Sequence, residues 1–416
     1  MTTQPSFREA LRFWLTLGFI SFGGPAGQIA IMQTELVDRR GWIDQAAFLR
    51  ALNFCMLLPG PEAQQLATYI GWKLHGLKGA LTAGILFVLP GAFLLYGLAW
   101  IAAEHGDTAV VAAVLSGLKP VVVALVLHAI WRLGRRTLTN ALSFSLAVAA
   151  FIALEYIGLP FPLVIFAAAL IGWLNARRQP DAQSFAVPEH KGTEEPWMHV
   201  LAVAAAYGVL LLAPVGLLLL IVGTDSFLLL ARFFTQAAFV TFGGAYAVLP
   251  YVADAAVNNF HWLSPEEMIN GLALAETTPG PLILVLQYVG FFAGWNSGVL
   301  TPLTAATIGA GLTTYVTFLP SIMFILAGAP YIERITRVKV LAGALAAIGA
   351  AVVGVIGTLA MVLGRAVVFL TPQTIDWPAV AAIIGALFVL VRFKIQMHLV
   401  VLAGAVFGLA RAFSGF

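Results

Sequence analysis

Charge is scarce in this chain: Asp, Glu, Lys and Arg together make up 10% of 416 residues, while hydrophobic residues make up 61%. A soluble protein of this length could not cover its surface with so few charges. One cysteine, Cys55, excludes an intramolecular disulfide and argues against a thiol redox centre. The 7 histidines are scattered without paired spacing, so no histidine metal centre is expected. No Gly-rich loop runs into Lys-Ser or Lys-Thr, and no nucleophile elbow is present, which sets aside an ATPase and a serine hydrolase. The N-terminal stretch Met1 to Ala10 is polar and lacks an apolar run before a small-residue cleavage site, so a removable signal peptide is not expected.

Long apolar runs are plentiful. A spanning helix needs roughly 20 apolar residues. Stretches near 79–102, 109–130, 137–157, 159–175, 197–222, 299–326, 340–364, 377–391 and 397–413 meet or approach that length, and mean hydropathy is +0.94. The chain therefore reads as an all-α polytopic membrane protein.

The sequence also repeats itself. Phe22-Gly23-Gly24 recurs as Phe242-Gly243-Gly244, and Pro59-Gly60-Pro61 recurs at the same offset as Pro279-Gly280-Pro281. Arg12 with Arg232, Phe13 with Phe233, Trp42 with Trp262 and Leu52 with Leu272 fall in the same gap-free register. Four regions follow: a first repeat over 1–175, a polar cytoplasmic linker over 176–196, an extra transmembrane helix over 197–222, and a second repeat over 223–416.

Positive residues set orientation, because cytoplasmic loops are enriched in Lys and Arg. The first half clusters them at Arg39 and Arg40, Lys73 and Lys78, Arg132, Arg135 and Arg136, and Arg177 and Arg178. The positions matching Arg39 and Arg40 are Asn259 and Phe260, and the second half has its cations at Arg334, Arg337 and Lys339. The pattern predicts two inverted-topology repeats, with the 197–222 helix making the inversion. If residues 7–38 and 45–75 each enter and leave on one side, they are broken or re-entrant helical hairpins, interrupted at Phe-Gly-Gly and Pro-Gly-Pro.

Interrupted helices at membrane depth occur where they line a cavity or are buried in protein. Their N-terminal ends carry unpaired N–H groups and partial positive charge, a setting suited to an oxyanion. Pro61 and Pro281 suit the first turn of the half-helices that follow, and the two Pro-Gly-Pro breaks are expected to face each other around one anion. The expected substrate-binding set is Gly23, Gly24, Pro25, Gln28, Pro59, Gly60, Pro61, Gln64, Gln65, Gly243, Gly244, Thr278, Pro279, Gly280 and Pro281. Structural readings stand beside these: kinks for the prolines, close helix packing for the glycines. Candidates for charge or coupling are Arg12, Arg232, Arg50, Lys119, Glu62 and Glu276. Arg12 and Arg232 could equally snorkel to the interface, and Glu62 could simply cap its half-helix. As a carboxylate beside a break, Glu62 or Glu276 is also a candidate proton-coupling site.

Phe22-Gly23-Gly24-Pro25 with Gln28, Gly41-Trp42, Leu58-Pro59-Gly60-Pro61 with Gln64 and Gln65, and in the second half Phe242-Gly243-Gly244, His261-Trp262 and Thr278-Pro279-Gly280-Pro281 together resemble the chromate ion transporter family in its long, two-domain type. The resemblance implies a multi-pass protein of the bacterial inner membrane that exports chromate from the cytoplasm and confers resistance, in exchange or competition with sulfate. It implies no enzymatic activity, no cofactor and no metal. The expected partners are chromate or sulfate and the lipid bilayer, with a homodimer as the candidate assembly and no nucleic acid. Ala245, Val248 and Leu284 depart from the pattern, which points to polar work concentrated in the first half. The alternative is a transporter for uptake or exchange of sulfate or another oxyanion, since isosteric dianions are poorly discriminated. A cation carrier would need more facing carboxylates, and a lipid enzyme would need a convergent nucleophile and base.

Overall fold

The computed structural model describes residues 4–22, 24–178, 198–223, 225–332, 339–371, 374–393 and 395–414. Gly23, nearly all of the expected linker, and the cations Arg334 and Arg337 lie outside the described residues.

The first half contains α1 (Phe7–Ile20), α2 (Gly24–Gln33), α3 (Gln45–Cys55), α4 (Glu62–His105), α5 (Ala109–Thr137), α6 (Ala141–Glu155) and α7 (Phe161–Arg178). After α8 (Met198–Val222) come α9 (Asp225–Val240), α10 (Ala245–Asp254), α11 (Pro265–Thr277), α12 (Val285–Trp295), α13 (Pro302–Gly328), α14 (Lys339–Val368), α15 (Trp377–Arg392) and α16 (Met397–Ser414). A two-stranded ribbon, Phe369–Thr371 with Thr374–Ile375, joins α14 to α15. Among the described residues, seven helices are long and apolar enough to cross a membrane: α4, α5, α7, α8, α13, α14 and α16. The molecule is an all-α polytopic membrane protein.

Matching local chemistry starts matching elements. The Asp44 carboxylate accepts from the Ala47 N–H at 2.8 Å to cap α3, and Ser264 with Glu267 forms a capping box at the start of α11. Asp44 and Ser264 are equivalent positions in the repeat register. α2 runs into a π-helical turn at Thr34–Arg39 and α10 into one at Ala255–Asn259. α4 is two helices in one, because His75 and Gly76 leave helical dihedrals (φ −141° and φ 59°) and fold the chain back. At the fold-back Gly71 lies directly on the Gly79 carbonyl, and in the second half Gly290 and Gly294 of α12 lie on Gly309 and Ala305 of α13. Small residues at such crossings let backbones touch.

The ends of the motif segments meet. The Arg40 guanidinium lies 5.1 Å from the Phe13 ring, Phe13 and Trp42 rings are 5.3 Å apart, and His75 Nε2 donates to the Pro5 carbonyl at 3.0 Å. In the second half Phe233 and Trp262 rings are 5.6 Å apart, and Asn296 Nδ2 donates to the Trp262 carbonyl at 3.0 Å. Residues 7–38 and 45–75 are thus hairpins that return to where they began, and the corresponding segments of the second half do the same. Around them the long helices pack crosswise: α6 and α7 lie along α14, while α15 and α16 lie along α5.

Candidate functional site

The hairpin tips come together through backbone bonds that cross between halves. The Gly60 N–H donates to the Thr241 carbonyl at 2.7 Å, and the Gly280 N–H donates to the Ser21 carbonyl at 2.9 Å. Gly60 pairs with Gly280, and Ser21 with Thr241, in the repeat register, so the two bonds are one interaction made twice. Ser21 and Thr241 are fully buried, and each hydroxyl donates to the carbonyl one turn back, Leu17 and Ala237, at 2.6 Å. Their side chains close the ends of α1 and α9, and their carbonyls hold the opposite half's turn. Each Pro-Gly-Pro turn is thus bonded to the other half's Phe-Gly-Gly break. Gln28 strengthens one crossing, its Nε2 donating to Ser21 O at 3.1 Å and to Gly280 O at 2.6 Å.

The prolines open the helices that follow. Pro61 and Pro281 occupy the N-cap, with extended dihedrals (φ −77°, ψ 105° and φ −71°, ψ 134°), rather than the first helical position. Glu62 takes that position, and the Pro61 carbonyl accepts the Gln65 N–H at 3.0 Å. This placement follows from Gly60, whose φ of +125° turns the chain and uses its N–H in the crossing. Of the first N–H groups of α4, that of Glu62 meets its own carboxyl, and those of Ala63 and Gln64 are left without an intrahelical carbonyl at the break.

Polar groups gather around this end. Glu62 lies against Gly244, its Oε1 3.1 Å from where a Cβ on that glycine would stand, and its Oε2 is buried without a partner. Gln64 and Gln65 are fully buried; both polar atoms of Gln64 lack partners, while Gln65 Nε2 donates to the Pro59 carbonyl at 2.7 Å. Ser321 of α13 closes on Gly60, its Oγ 2.5 Å from the Cβ position. On the other side the Tyr246 hydroxyl donates to Glu276. An unmade hydrogen bond at a buried group costs about 1–3 kcal/mol, so orphaned amide and carboxylate atoms mark a place shaped for something polar.

α5 supplies the cations. An Nη of Arg132 stands 4.0 Å from the Cβ position of Gly24 at the start of α2, and Arg136, one turn on, donates to Met56 Sδ at 3.5 Å. These two arginines are the charges acting on Glu62, and Arg132 also acts on Glu276. An anion at this place would meet guanidinium groups and a helix N-terminus together.

The structure brings Gly24, Pro25, Gln28, Pro59, Gly60, Pro61, Gln64, Gln65, Gly244, Pro279, Gly280, Pro281, Glu62 and Glu276 to the hairpin tips. Thr278 ends α11 there, its hydroxyl donating to the Ala275 carbonyl at 2.9 Å. Gly243 lies beside Val352 of α14. Arg12, Arg232 and Arg50 are exposed on α1, α9 and α3 and are not gathered to the tips. Lys119 is engaged elsewhere, 2.5 Å from Glu266 at the start of α11. Ser21, Thr241, Tyr246 and the arginine pair were not singled out as site residues by sequence reasoning. A hydroxyl residue directly before each Phe-Gly-Gly was the available signal for the first two; Arg132 and Arg136 read there only as markers of orientation.

Two cavities lie away from the tips. One of about 690 Å³ among α4, α8 and α13 is almost wholly apolar. The other, about 540 Å³, lies among α10, α11 and α14 and carries Glu155, Asp254 and Asn258 on its wall. Neither is lined by a Phe-Gly-Gly or Pro-Gly-Pro residue.

Fold and site together define a multi-pass, all-α membrane protein whose interrupted hairpins converge from two halves on a buried polar centre with arginines beside it. The sequence profile of the family described as "Chromate transporter" matches residues 8–173 and 228–409, one stretch in each half. The chain belongs to that family, a family of transporters rather than enzymes. It is 30% identical over 410 residues to a chromate transport protein of Pseudomonas aeruginosa, covering 97% of this chain and 92% of that one. A chromate transport protein of Cupriavidus metallidurans is 25% identical over 97% of this chain and 93% of its own length. An uncharacterized transporter of Bacillus subtilis is 29% identical over 38% of this chain and 82% of its own length. No solved structure matches. Relatives and fold make this a multi-pass bacterial membrane protein.

Proposed function

We propose that this chain is a secondary active transporter of the inner membrane that exports chromate, a tetrahedral oxyanion, from the cytoplasm and so confers chromate resistance. The observation that carries the reading is the convergence of the α4 helix end, with Glu62 at its first position, and the α5 arginines at the crossing of the hairpin tips. Full-length relatives carry the name chromate transport protein, which supplies the substrate.

Hairpins that enter from opposite faces and meet at their tips suit alternating access, in which one repeat rocks against the other around a fixed centre. The halves are read as inverted repeats, 1–175 and 223–416, with α8 making the inversion. A membrane potential negative inside favours outward movement of negative charge by about 2.3 kcal/mol per charge for each 100 mV, which gives export a driving force.

Inverted membrane vesicles test the reading directly. Labelled chromate should accumulate, and sulfate should compete with it because the two dianions share shape and charge. Accumulation of sulfate only, or in the reverse direction, would favour the uptake or exchange alternative. Absence of movement of either anion under every imposed gradient would end the proposal. For the topology, cysteines placed at Arg39 and Asn259 should label from opposite faces; labelling from one face would overturn the inversion.

A further inference from the structure

Arg132 and Arg136 form a step one helical turn apart on α5. Arg136 is exposed and touches Met56 just before the first Pro-Gly-Pro turn; Arg132 is half-buried and reaches Gly24. Among the described residues neither has a carboxylate within ion-pair distance. Glu62 is the acid nearest in function: its buried Oε2 has no partner, and the cations acting on it are these two.

The other titratable groups around this centre are few. Cys55 faces Glu62 from α3, His128 lies one turn before Arg132 on α5, and from the second half Tyr246 of α10 is bonded to Glu276 of α11. Glu276 thus already has a side-chain donor, whereas Glu62 is met only by its own backbone N–H and its Oε2 has no partner.

We infer that Arg132 and Arg136 are the countercharge that binds the oxyanion, and that Glu62 is a proton site sharing them, so that proton and oxyanion are held together. The inference rests on the oxyanion reading above and adds residues and a coupling direction to it. An ionised Glu62 competes with a dianion for the same two guanidinium groups and repels it. Taking a proton from solution onto Oε2 removes that charge and converts the orphan acceptor into an O–H donor toward an anion oxygen. No bond in the anion is made or broken. By linkage the effect is reciprocal: bound anion must favour the proton by the same factor that bound proton favours the anion.

The test is equilibrium binding of radiolabelled sulfate and chromate to the purified full-length protein between about pH 5.5 and 8.5. Wild type should bind more tightly as pH falls, and adding sulfate in weak buffer should take up protons. Glu62→Gln should bind at every pH about as tightly as wild type at the acid end, without proton uptake. Arg132→Gln should weaken binding at least about tenfold throughout, and Arg132→Lys should weaken it less while keeping the pH slope. Arg135→Gln, on the same helix but stacked over Trp131, should match wild type. Wild-type binding that ignores pH, an unchanged slope in Glu62→Gln, or unaltered affinity in Arg132→Gln would each overturn the inference while leaving oxyanion transport standing. Proton uptake and the Arg132→Lys variant keep it falsifiable if Arg132→Gln does not fold. Failure of folded wild type to bind either anion would instead overturn the oxyanion reading itself.

Discussion

After the first Pro-Gly-Pro turn the chain continues Glu62, Ala63, Gln64, Gln65; after the second, Leu282, Ile283, Leu284, Val285 stand in the same places. Gln28 bridges two carbonyls in the first half, and its counterpart Val248 is a fully buried aliphatic. Arg132 of α5 lies beside Gly24, while the aliphatic Val352 of α14 lies beside Gly243. The backbone interruptions are duplicated and the chemistry is not. The reason is physical: both crossings must satisfy the same backbone donors and acceptors, so Ser21, Gly60, Thr241 and Gly280 are constrained alike. Side chains that bind an anion need to be present only once. The second half contributes the receiving surface, with Gly244 making room for Glu62, and one acid of its own, Glu276, satisfied by Tyr246.

That comparison can be broken most sharply at the turns. Gly60→Ala should reduce transport more than tenfold, because left-handed backbone costs a β-carbon about 1–2 kcal/mol and here the Cβ would also press on Ser321 Oγ and Gln65 Nε2. Gly280→Ala, whose Cβ would find its nearest atom at 3.3 Å, should lose less, and Gly298→Ala, with nothing within 4 Å, least of all. Equal losses in vesicle uptake for Gly60→Ala and Gly298→Ala would reduce the turn to generic packing.

Next in size, Gln28→Leu should lower transport severalfold and stability by about 1–3 kcal/mol, the cost of leaving the Gly280 carbonyl without the Gln28 donor. Val248→Gln should lower stability without any gain in transport, since it forces a longer, polar side chain into a fully buried valine site. Melting in detergent alongside uptake would separate the two. A gain of transport in Val248→Gln would show that the asymmetry is not functional.

Smaller again, Tyr246→Phe should slow transport by a few-fold at most and leave its pH profile in place, because its hydroxyl serves Glu276 rather than Glu62. A flattened pH profile in that variant would transfer the proton role to the second half. The least effect is expected from the Lys119–Glu266 pair. Both groups retain exposure (24% and 69%), so exchanging the two charges should change stability by no more than about 1 kcal/mol. A collapse of transport in the single Lys119→Gln variant would restore Lys119 as a gating residue.

Much of the fold was legible along the chain. Apolar length located the spans, and Gly and Pro located the interruptions, because both signals act over short stretches. The exact start of α4 at Pro61 was not legible, since Gly60's role in a bond to Thr241 is invisible locally. The cations were the weakest part of the reading. Arg12 and Arg232 drew notice by repeating, yet both point outward, whereas Arg132 looked like an ordinary marker of the cytoplasmic side.

Composition, hydropathy and the internal repeat by themselves determined a membrane protein of two related halves, with helices broken at both Phe-Gly-Gly and both Pro-Gly-Pro positions. Hydrophobic length and backbone dihedral preference are properties of short segments, so they survive without any knowledge of neighbours. Only the tertiary structure decided that each Pro-Gly-Pro turn is held by the opposite half's Phe-Gly-Gly break, and that α5 turns Arg132 toward Gly24 and Glu62. Those pairings join residues far apart in the chain, and they follow from how helices pack around the hairpin tips.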